Sequence, residues 1–433
     1  MAASGDRDFD GADNDWLCDR DDAANMITIK NLQKDWKEFS LKGINLEVKR
    51  GEYFVILGPT GAGKTLLLET IAGFYFPDRG GVWVAGREVT KLPPEKRGIG
   101  FIYQDYSLFP HFTVEENIEF GLKLKKSRSR SGSRSGSRGG SRSGSRTEEL
   151  MKWLGITHLE GRYPATLSGG EQQKVAIARA VAIEPEILLL DEPLSALDFR
   201  TREYLREELR RVKKELGLGI TMVHVTHDQT EAMVLADRIA VMMNGRIMQV
   251  GAPHEIFNKP KNEEIADFVG VENILSGVVR KNENGVAEVE VVSGDKAGGK
   301  AGDKAGGKAG DKKGCNIFAV SEYRAGAVKV LLRPEEVILS KRRSGGKGES
   351  SASSASSASS TSSARSSASS TSSARNAVKG KIEELTDLGP LTRVRTDAGL
   401  VALVTKQSRE SLELREGDEV FATFKATSVH LVR

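Results

Sequence analysis

Gly58-Pro-Thr-Gly-Ala-Gly-Lys-Thr65 decides the fold of this chain, because it joins a strand-like segment to a helix-like one. Residues 53–57 before it are continuously apolar, as in a buried strand, and residues 66–72 after it fit a helix. The glycines allow successive backbone N–H groups to turn inward around an anion at a helix start, where the helix dipole also favours negative charge. The spacing G-x-x-x-x-G-K-[ST] in this context predicts a phosphate-binding loop in an α/β fold.

Every residue of this loop is a predicted nucleotide contact. Lys64 is expected to reach the β- and γ-phosphates, and the Thr65 hydroxyl is expected to hold Mg²⁺. A strand–helix turn that binds nothing is the alternative, and it is disfavoured because both the strand and the helix are in place. The predicted contacts are Gly58, Pro59, Thr60, Gly61, Ala62, Gly63, Lys64 and Thr65.

Length and composition narrow the class of protein. The 433 residues suffice for two or three domains. No apolar run approaches the ~20 residues of a membrane helix, and the N-terminus lacks a signal-peptide core, so a cytoplasmic location is expected. Cys18 and Cys315 are the two cysteines, which makes a disulfide or metal framework unlikely on sequence grounds. The net charge of +4 arises from uneven local clusters and says little about nucleic acid.

Four segments have the composition of linkers or tails. Residues 1–25 are acidic and without apolar periodicity, so we predict a disordered extension, with translation starting at Met1 or at Met26. Residues 127–146 form an Arg/Ser/Gly repeat, for which a loop insertion is favoured over an RNA-binding tail because no aromatic residues are interleaved. Residues 295–313 and 344–373 are predicted to be flexible loops.

Strands and helices alternate beyond the loop, which predicts a mostly parallel sheet. Residues 187–190 form an uninterrupted apolar run that suits a strand covered on both faces. A further strand is expected at residues 221–225, and Asn244-Gly245 is a strong hairpin signal.

Three polar side chains follow these strands, at the edge where ligands bind in open α/β sheets. Asp191 could hold Mg²⁺ through water, and Glu192 could polarise the water that attacks the γ-phosphate. His227 could contact the γ-phosphate or orient the same water. A helix-capping acid pair and a structural histidine are the alternatives, and the phosphate loop makes both less favourable.

The residues between 167 and 228 give the sequence a family resemblance. Leu167-Ser-Gly-Gly-Glu171, Leu-Leu-Asp-Glu-Pro193, Ser195-Ala-Leu-Asp198 and Thr226-His-Asp228, together with the phosphate loop, resemble the ATP-binding cassette (ABC) ATPases over residues 26–270. The resemblance implies a P-loop NTPase core with a helical subdomain, and ATP with Mg²⁺ as cofactors.

The same resemblance assigns further residues. Trp36 resembles the aromatic residue that stacks on adenine, although a Trp that covers the core is the alternative. Gln104 resembles the loop glutamine that senses Mg²⁺ and the membrane partner. Ser168, Gly169, Gly170 and Glu171 resemble the signature that caps ATP held by the opposite subunit, and Asp198 would lie between the two sites. Implied partners are a second copy of the chain, two membrane permease subunits at the cytoplasmic face, and, indirectly, an extracytoplasmic binding protein.

Residues 271–433 change in character to short strands and turns, for which we predict an all-β, OB-like barrel. Asn273-Ile-Leu-Ser-Gly277 matches Asn376-Ala-Val-Lys-Gly380, and residues 332–339 match 424–431, which indicates two copies of one β unit. The second copy resembles the molybdate-binding domain of molybdate and tungstate importer ATPases. By that resemblance the candidate oxyanion ligands are Ser373, Arg375, Asn376, Thr405, Ser408, Lys425 and Ser428.

Several functions remain open at this level. The favoured one is the ATPase of an oxyanion importer, for molybdate or tungstate, and an importer ATPase for sulfate, sugar, polyamine or iron is the nearest alternative. A soluble nucleic-acid-associated ABC ATPase is disfavoured because the chain has a single set of motifs. An inactive regulator is disfavoured by Lys64 and Glu192, and the β barrel could serve oligomerisation without binding a ligand.

Overall fold

The computed structural model describes residues 25–130, 141–195, 197–215, 219–291, 315–341 and 375–433. The predicted acidic extension and the two later low-complexity segments fall almost entirely outside these ranges. The chain divides into two compact units, Met1–Pro253 and His254–Arg433, which are described separately.

The first unit contains two sheets. A six-stranded sheet has the order β10-β9-β3-β8-β7-β6, and its neighbouring strands are parallel except for the β9–β10 hairpin, which confirms the predicted α/β sheet. A four-stranded antiparallel sheet has the order β2-β1-β4-β5. The strands are β1 Asn25–Trp36, β2 Phe39–Lys49, β3 Tyr53–Leu57, β4 Arg79–Val84, β5 Arg87–Glu88, β6 Ile99–Ile102, β7 Ile187–Asp191, β8 Thr221–Thr226, β9 Arg238–Met243 and β10 Arg246–Gly251.

The core of this unit follows from its strand sequences. All residues of β3, β7 and β8 are buried, as expected for parallel strands covered on both faces, and the antiparallel sheet packs into the same core as these strands. The β9–β10 turn places Asn244 and Gly245 at φ values of 48° and 76°, the left-handed conformation that this dipeptide tolerates. The helices are α1 Lys64–Ala72, α2 Val114–Arg130, α3 Ser141–Trp153, α4 Gly169–Ala182, α5 Phe199–Glu215 and α6 Gln229–Leu235.

The loop predicted for residues 127–146 is wrong at both ends. Helix α2 continues to Arg130, and α3 begins at Ser141 rather than near Glu148. Arginine is a good helix former and serine is only mildly unfavourable, so the flanking helices can extend into the repeat. The glycines are concentrated in its middle, at positions 131–140, which lie outside the described residues.

The second unit begins earlier than the expected boundary at residue 271. Helices α7 (Pro253–Asn258) and α8 (Glu263–Phe268) precede its β strands. The Arg333 guanidinium donates to the carbonyl of Phe257, with Nη2 at 2.6 Å, and His430 Nε2 lies 3.2 Å from the carbonyl of Pro260. These long-range bonds attach the helical segment to the β unit, and no local pattern in the sequence announces them.

Two five-stranded antiparallel sheets form the rest of the second unit, with the orders β13-β12-β11-β14-β20 and β18-β17-β16-β19-β15. Each repeat therefore contributes its last strand to the sheet of the other repeat, and the predicted internal repeat is confirmed. The strands are β11 Asn273–Glu283, β12 Val286–Val291, β13 Cys315–Val320, β14 Gly326–Leu332, β15 Ile338–Lys341, β16 Arg375–Asp387, β17 Leu391–Thr396, β18 Val401–Thr405, β19 Glu419–Lys425 and β20 His430–Val432, and α9 is Lys406–Ser411.

The repeat extends to individual hydrogen bonds. The Asn273 side chain accepts from the backbone N–H of Val401 and donates to its carbonyl. Its counterpart Asn376 makes the same pair of bonds with Phe318, at 2.7 and 2.8 Å. Each asparagine thus joins the first strand of its own repeat to the third strand of the other repeat.

Among the described residues, no helix is long and apolar enough to cross a membrane.

Candidate functional site

The parallel sheet brings the predicted ATP-site elements together at one edge. Leu57 is in register with Thr226, Asp191 with Val225, and Ile102 with Leu190, so β3, β8, β7 and β6 end side by side. The phosphate loop, His227 and Glu192 come directly after β3, β8 and β7, and Gln104 follows the end of β6 by two residues.

The phosphate loop is built on two positions that require glycine. Gly63 has φ 94°, and a Cβ atom there would overlap the ring of Phe39. A Cβ at Gly58 would overlap the carbonyl oxygen of Met242. Pro59, Thr60 and Gly61 form the exposed tip of the loop. The backbone can therefore approach phosphate oxygens at this tip.

Lys64 and Thr65 begin α1 and are directed at the neighbouring acids. Lys64 Nζ donates to the carbonyls of Gly58 and Pro59, at 2.9 and 3.0 Å, and lies 3.7 Å from Glu192 Oε1. Thr65 Oγ1 donates to Asp191 Oδ1 at 2.9 Å. Burial lowers the pKa of Lys64, although the nearby carboxylates of Glu192 and Asp191 oppose this shift.

The oxygen atoms of Thr65 and Asp191 fit a hard divalent cation. Burial raises the pKa of Asp191, and its bond from Thr65 acts in the opposite direction. A carboxylate held in a buried site gains most from a cation nearby. No group of three or more His, Cys, Asp and Glu side chains that could hold a metal occurs in the described ranges. Mg²⁺ suits such a site because it is usually bound by one or two protein ligands together with substrate phosphates.

Glu192 and His227 form a pair at the sheet edge. His227 Nδ1 lies 3.1 Å from Glu192 Oε2, and half of the His227 side chain is exposed. Glu192 has φ 41°, a left-handed conformation that costs about 1–3 kcal/mol for a non-glycine residue. Its backbone N–H donates to Val225, and its carbonyl accepts from the Ser195 hydroxyl at 2.9 Å. These bonds hold the strained residue with its carboxylate in the site.

A pocket of about 270 Å³ is lined by Trp36, Phe39 and Asn244, and the Phe39 ring lies close to Gly63 of the phosphate loop. Trp36 ends β1 and meets the edge of Tyr75, with ring centroids 5.4 Å apart. Lys34 Nζ lies 5.9 Å from the centroid of the Trp36 ring. These two contacts fix the ring at the end of β1, and its stacking on adenine remains a prediction.

The signature segment is a helix start with its own cap. Ser168 precedes α4, its hydroxyl accepts from the backbone N–H of Glu171, and the Glu171 carboxylate accepts from the Ser168 backbone at 2.8 Å. These bonds from Ser168 hold the pKa of Glu171 below its usual value. Gly169 and Gly170 follow Ser168 and open the helix; a Cβ at Gly170 would overlap Thr201.

Two further predicted residues flank these elements. Asp198 caps α5, because its carboxylate accepts from the backbone N–H groups of Arg200 and Thr201, both at 3.1 Å. The side-chain and backbone bonds from Thr201 lower its pKa. Gln104 is exposed in the loop after β6.

The structure describes only part of the predicted oxyanion ligand set. Ser373 and the side chain of Arg375 lie outside what the structure describes. Asn376 is 3% exposed and uses both amide atoms on the Phe318 backbone, which gives this side chain a structural role, and its role as an oxyanion ligand remains a prediction.

The other candidates lie at the end of β18 with the start of α9, and in and after β19. Thr405 caps α9, and its hydroxyl donates to Ser408 at 2.9 Å. Lys425 is exposed, whereas the Ser428 hydroxyl donates to the Glu336 carboxylate at 2.7 Å. An anion at Ser428 would meet that carboxylate, so the structure gives the serine a different partner from the predicted one.

Two groups of residues near the ATP site escaped prediction. Arg179 on α4 donates to the carbonyls of Tyr106 and Ser107, at 2.9 and 2.7 Å, and so holds the loop that contains Gln104. Tyr106 and Ser107 both have positive φ, which no sequence pattern indicated. The second group is Glu231 with His224, both buried behind His227. A histidine between the apolar residues Val223 and Val225 was the available signal for it.

The comparisons with known proteins cover both units. The ABC transporter family model matches residues 41–195, and the TOBE domain model matches residues 372–431. The molybdate/tungstate import ATP-binding protein WtpC of Pyrococcus horikoshii is 39% identical over 409 residues, covering 94% of this chain and 99% of that protein.

Other relatives match a smaller share of the chain. WtpC of Thermococcus kodakarensis is 49% identical over 253 residues, covering 58% of this chain and 73% of that protein. The spermidine/putrescine import ATP-binding protein PotA of Bacteroides fragilis is 45% identical over 259 residues, covering 60% of this chain and 53% of that protein. The solved dimer of an ATP-binding cassette with ADP and Pi is 33% identical, covers 53% of this chain and 99% of that one, and superposes with a TM-score of 0.46.

Two kinds of observation lead to the same family. One is the site itself, with its phosphate loop, the acid pair at the end of β7 and the capped signature helix, and the other is a relative that matches nearly the whole chain. The chain belongs to the ABC transporter ATP-binding proteins, ATP hydrolases that here carry a C-terminal TOBE domain.

Proposed function

We propose that this chain is the ATPase subunit of an importer for molybdate or tungstate. The main support for this substrate is the match to WtpC over 94% of the chain, a share that includes the second unit. PotA relatives of similar identity cover about 60% of the chain. They support the ATPase assignment and keep polyamine import as the second candidate.

In the proposed mechanism, the residues at the sheet edge divide the work of hydrolysis. Lys64 and the loop amides bind the phosphates, while Thr65 and Asp191 would hold Mg²⁺, which neutralises phosphate charge when bound. Glu192 accepts a hydrogen bond from the attacking water. His227, 3.1 Å from Glu192, fixes the orientation of that carboxylate. Catalysis then consists of positioning and charge stabilisation, as phosphoryl transfer requires.

The signature helix is proposed to act on the ATP of a second copy of the chain. Ser168 and the first amides of α4 form a helix start that favours anions, and Ser168 is exposed. In the proposed dimer this helix start caps the phosphates bound to Lys64 of the partner copy, so that each ATP lies between two chains.

An exposed aromatic surface supports attachment to a membrane permease. Phe74, Tyr75 and Phe76 follow α1 and are 43%, 38% and 48% exposed. Phe74 contacts Phe101 and Tyr103, which lie three residues and one residue before Gln104. Clustered exposed aromatic side chains are typical of protein interfaces. We propose that a permease subunit docks here and holds the chain at the cytoplasmic face of the membrane.

The hydrolysis assignment is tested with Glu192→Gln. The variant should bind ATP with wild-type affinity but hydrolyse it at least 100-fold more slowly, since the amide cannot accept the water proton. Single-turnover hydrolysis and ATP titration of the full chain measure the two quantities. Hydrolysis at the wild-type rate would show that Glu192 has another role.

The substrate is tested by calorimetry of the full chain with molybdate, tungstate, sulfate and spermidine. Heat is expected from molybdate or tungstate, and Lys425→Ala should weaken it because an exposed cation is lost. Lys379→Ala is the matched control, since Lys379 is an exposed lysine on β16 paired with Glu419 at 3.0 Å. Heat from spermidine, with none from the oxyanions, would favour the polyamine alternative.

A further inference from the structure

A hydrogen-bonded row of polar side chains on β8 and α6 is buried next to His227. Thr226, Glu231 and His224 are at most 3% exposed. The Thr226 hydroxyl donates to Glu231 Oε2 at 2.8 Å and accepts from the backbone N–H of Asp228 at 3.0 Å. Because the hydroxyl has a single hydrogen and gives it to Glu231, its lone pairs face the Asp228 amide. The direction of these two hydrogen bonds is therefore fixed by an acceptor at position 231.

These bonds restrain the backbone on both sides of His227. The residue before it, Thr226, also accepts at its carbonyl from Gly58 N–H at 3.3 Å. The residue after it, Asp228, caps α6 by accepting from Thr230 and Glu231 N–H, at 2.7 and 3.1 Å. His227 itself is half exposed and has little packing to hold its ring. Its approach to Glu192 thus depends on a fixed backbone.

Beyond Glu231, the row of polar side chains ends in uncharged groups. His224 Nε2 lies 3.5 Å from Glu231 Oε2, and His224 Nδ1 lies 3.1 Å from the Tyr53 hydroxyl. Burial lowers the pKa of His224 to about 3 and raises the pKa of Glu231. The imidazole is accordingly neutral, and it fills the space beside the Glu231 carboxyl, where water would compete for the bond from Thr226.

We propose that Glu231 is a positioning residue for ATP hydrolysis, which fixes Thr226 and thereby aims His227 at Glu192. The inference rests on the proposed role of His227 at the reacting phosphate. Glu231 does not touch the nucleotide in this scheme, and its effect passes entirely through the backbone around His227.

The test uses variants at both ends of the Thr226–Glu231 bond. Glu231→Ala and Thr226→Val should each lower the single-turnover rate about tenfold to a hundredfold, because a small displacement of a reacting group has an effect of this size. The KM for ATP should stay within about twofold, since phosphate binding is untouched. Glu231→Gln should retain most of the rate, because its amide oxygen can still accept from Thr226.

Two comparisons separate positioning from loss of stability. Thr221→Val is the matched control: this buried threonine at the start of β8 accepts from Gly51 N–H at 2.9 Å and is remote from His227. It should lower the unfolding temperature as Thr226→Val does and leave the rate unchanged. In a double-mutant cycle, adding Thr226→Val to His227→Ala should cause no further loss of rate.

His227→Ala is measured first, because it distinguishes the two levels of the argument. A wild-type rate for His227→Ala would refute the proposed role of His227. A slow His227→Ala with wild-type rates for Thr226→Val and Glu231→Ala would overturn the positioning inference and leave the proposed function intact. Additive losses in the cycle would also overturn it. Thr226→Val is nearly isosteric, so it decides the question even if Glu231→Ala fails to fold.

Discussion

Asn376→Ala should destabilise the second unit, because this side chain is a structural tie between its two repeats. The substitution removes two hydrogen bonds to Phe318 and leaves a backbone N–H and a carbonyl without these partners. At about 1 kcal/mol net for each bond, the loss is about 2 kcal/mol, and up to about 4 kcal/mol if water cannot reach the freed groups. A unit of this size loses about 2–4 °C per kcal/mol, so its unfolding temperature should fall by about 4–8 °C for a loss of 2 kcal/mol and by about 8–16 °C for a loss of 4 kcal/mol.

Differential scanning calorimetry of the full chain measures the effect on the transition of the second unit. Asn273→Ala is the matched variant, since it removes the equivalent pair of bonds to Val401, and it should cause a loss at least as large because Asn273 is fully buried. Molybdate binding, measured by calorimetric titration below the transition, should be unchanged by Asn376→Ala. A variant that unfolds at the wild-type temperature but no longer binds oxyanion would refute the structural role and support Asn376 as a ligand.

Three further predictions concern the ATP site. Gly63→Ala should abolish ATP binding, whereas Gly61→Ala should only weaken it. Both glycines have positive φ, but a Cβ would overlap Phe39 at Gly63 and would meet no atom within 4 Å at Gly61. Equal losses by ATP titration would contradict this reasoning. Trp36→Ala should raise the KM for ATP about fivefold to a hundredfold, the worth of one stacked base, and Trp36→Phe should restore most of it; an unchanged KM would remove Trp36 from the site. Mixing Lys64→Ala with Ser168→Arg chains should recover about one active site per mixed dimer in ATPase assays, and an inactive mixture would argue against sites shared between chains.

The ATP site could be predicted from the sequence because its functional groups lie in short contiguous segments. The eight residues 58–65 determine both the loop conformation of the backbone and the Lys64 and Thr65 side chains that the loop presents. The apolar runs before Asp191 and His227 indicate strands, and parallel strands must end at a common edge. The register of Leu57 with Thr226 confirms this placement. The proximity of Lys64, Glu192 and His227 thus follows from local patterns and one rule of sheet geometry.

The C-terminal ligand set was less predictable because resemblance identifies residues without identifying their partners. Asn376 and Ser428 belong to motif-like stretches, yet one binds the Phe318 backbone and the other binds Glu336. Both partners are far away in sequence, in the other repeat. The low-complexity character of residues 127–146 was also misleading, since composition alone does not oppose the extension of a helix that neighbouring residues have started.

The sequence by itself determined the chemistry of the phosphate site, the order of strands and helices, and the existence of two β repeats. These are properties of short segments, where backbone preference and side-chain periodicity act within a few residues. The tertiary structure decided which buried or half-buried polar groups from distant segments satisfy one another, as Asn376 does with Phe318 and Arg333 with Phe257. A buried polar group must find a partner, but the sequence does not say which one, because the choice depends on segments that folding alone brings together.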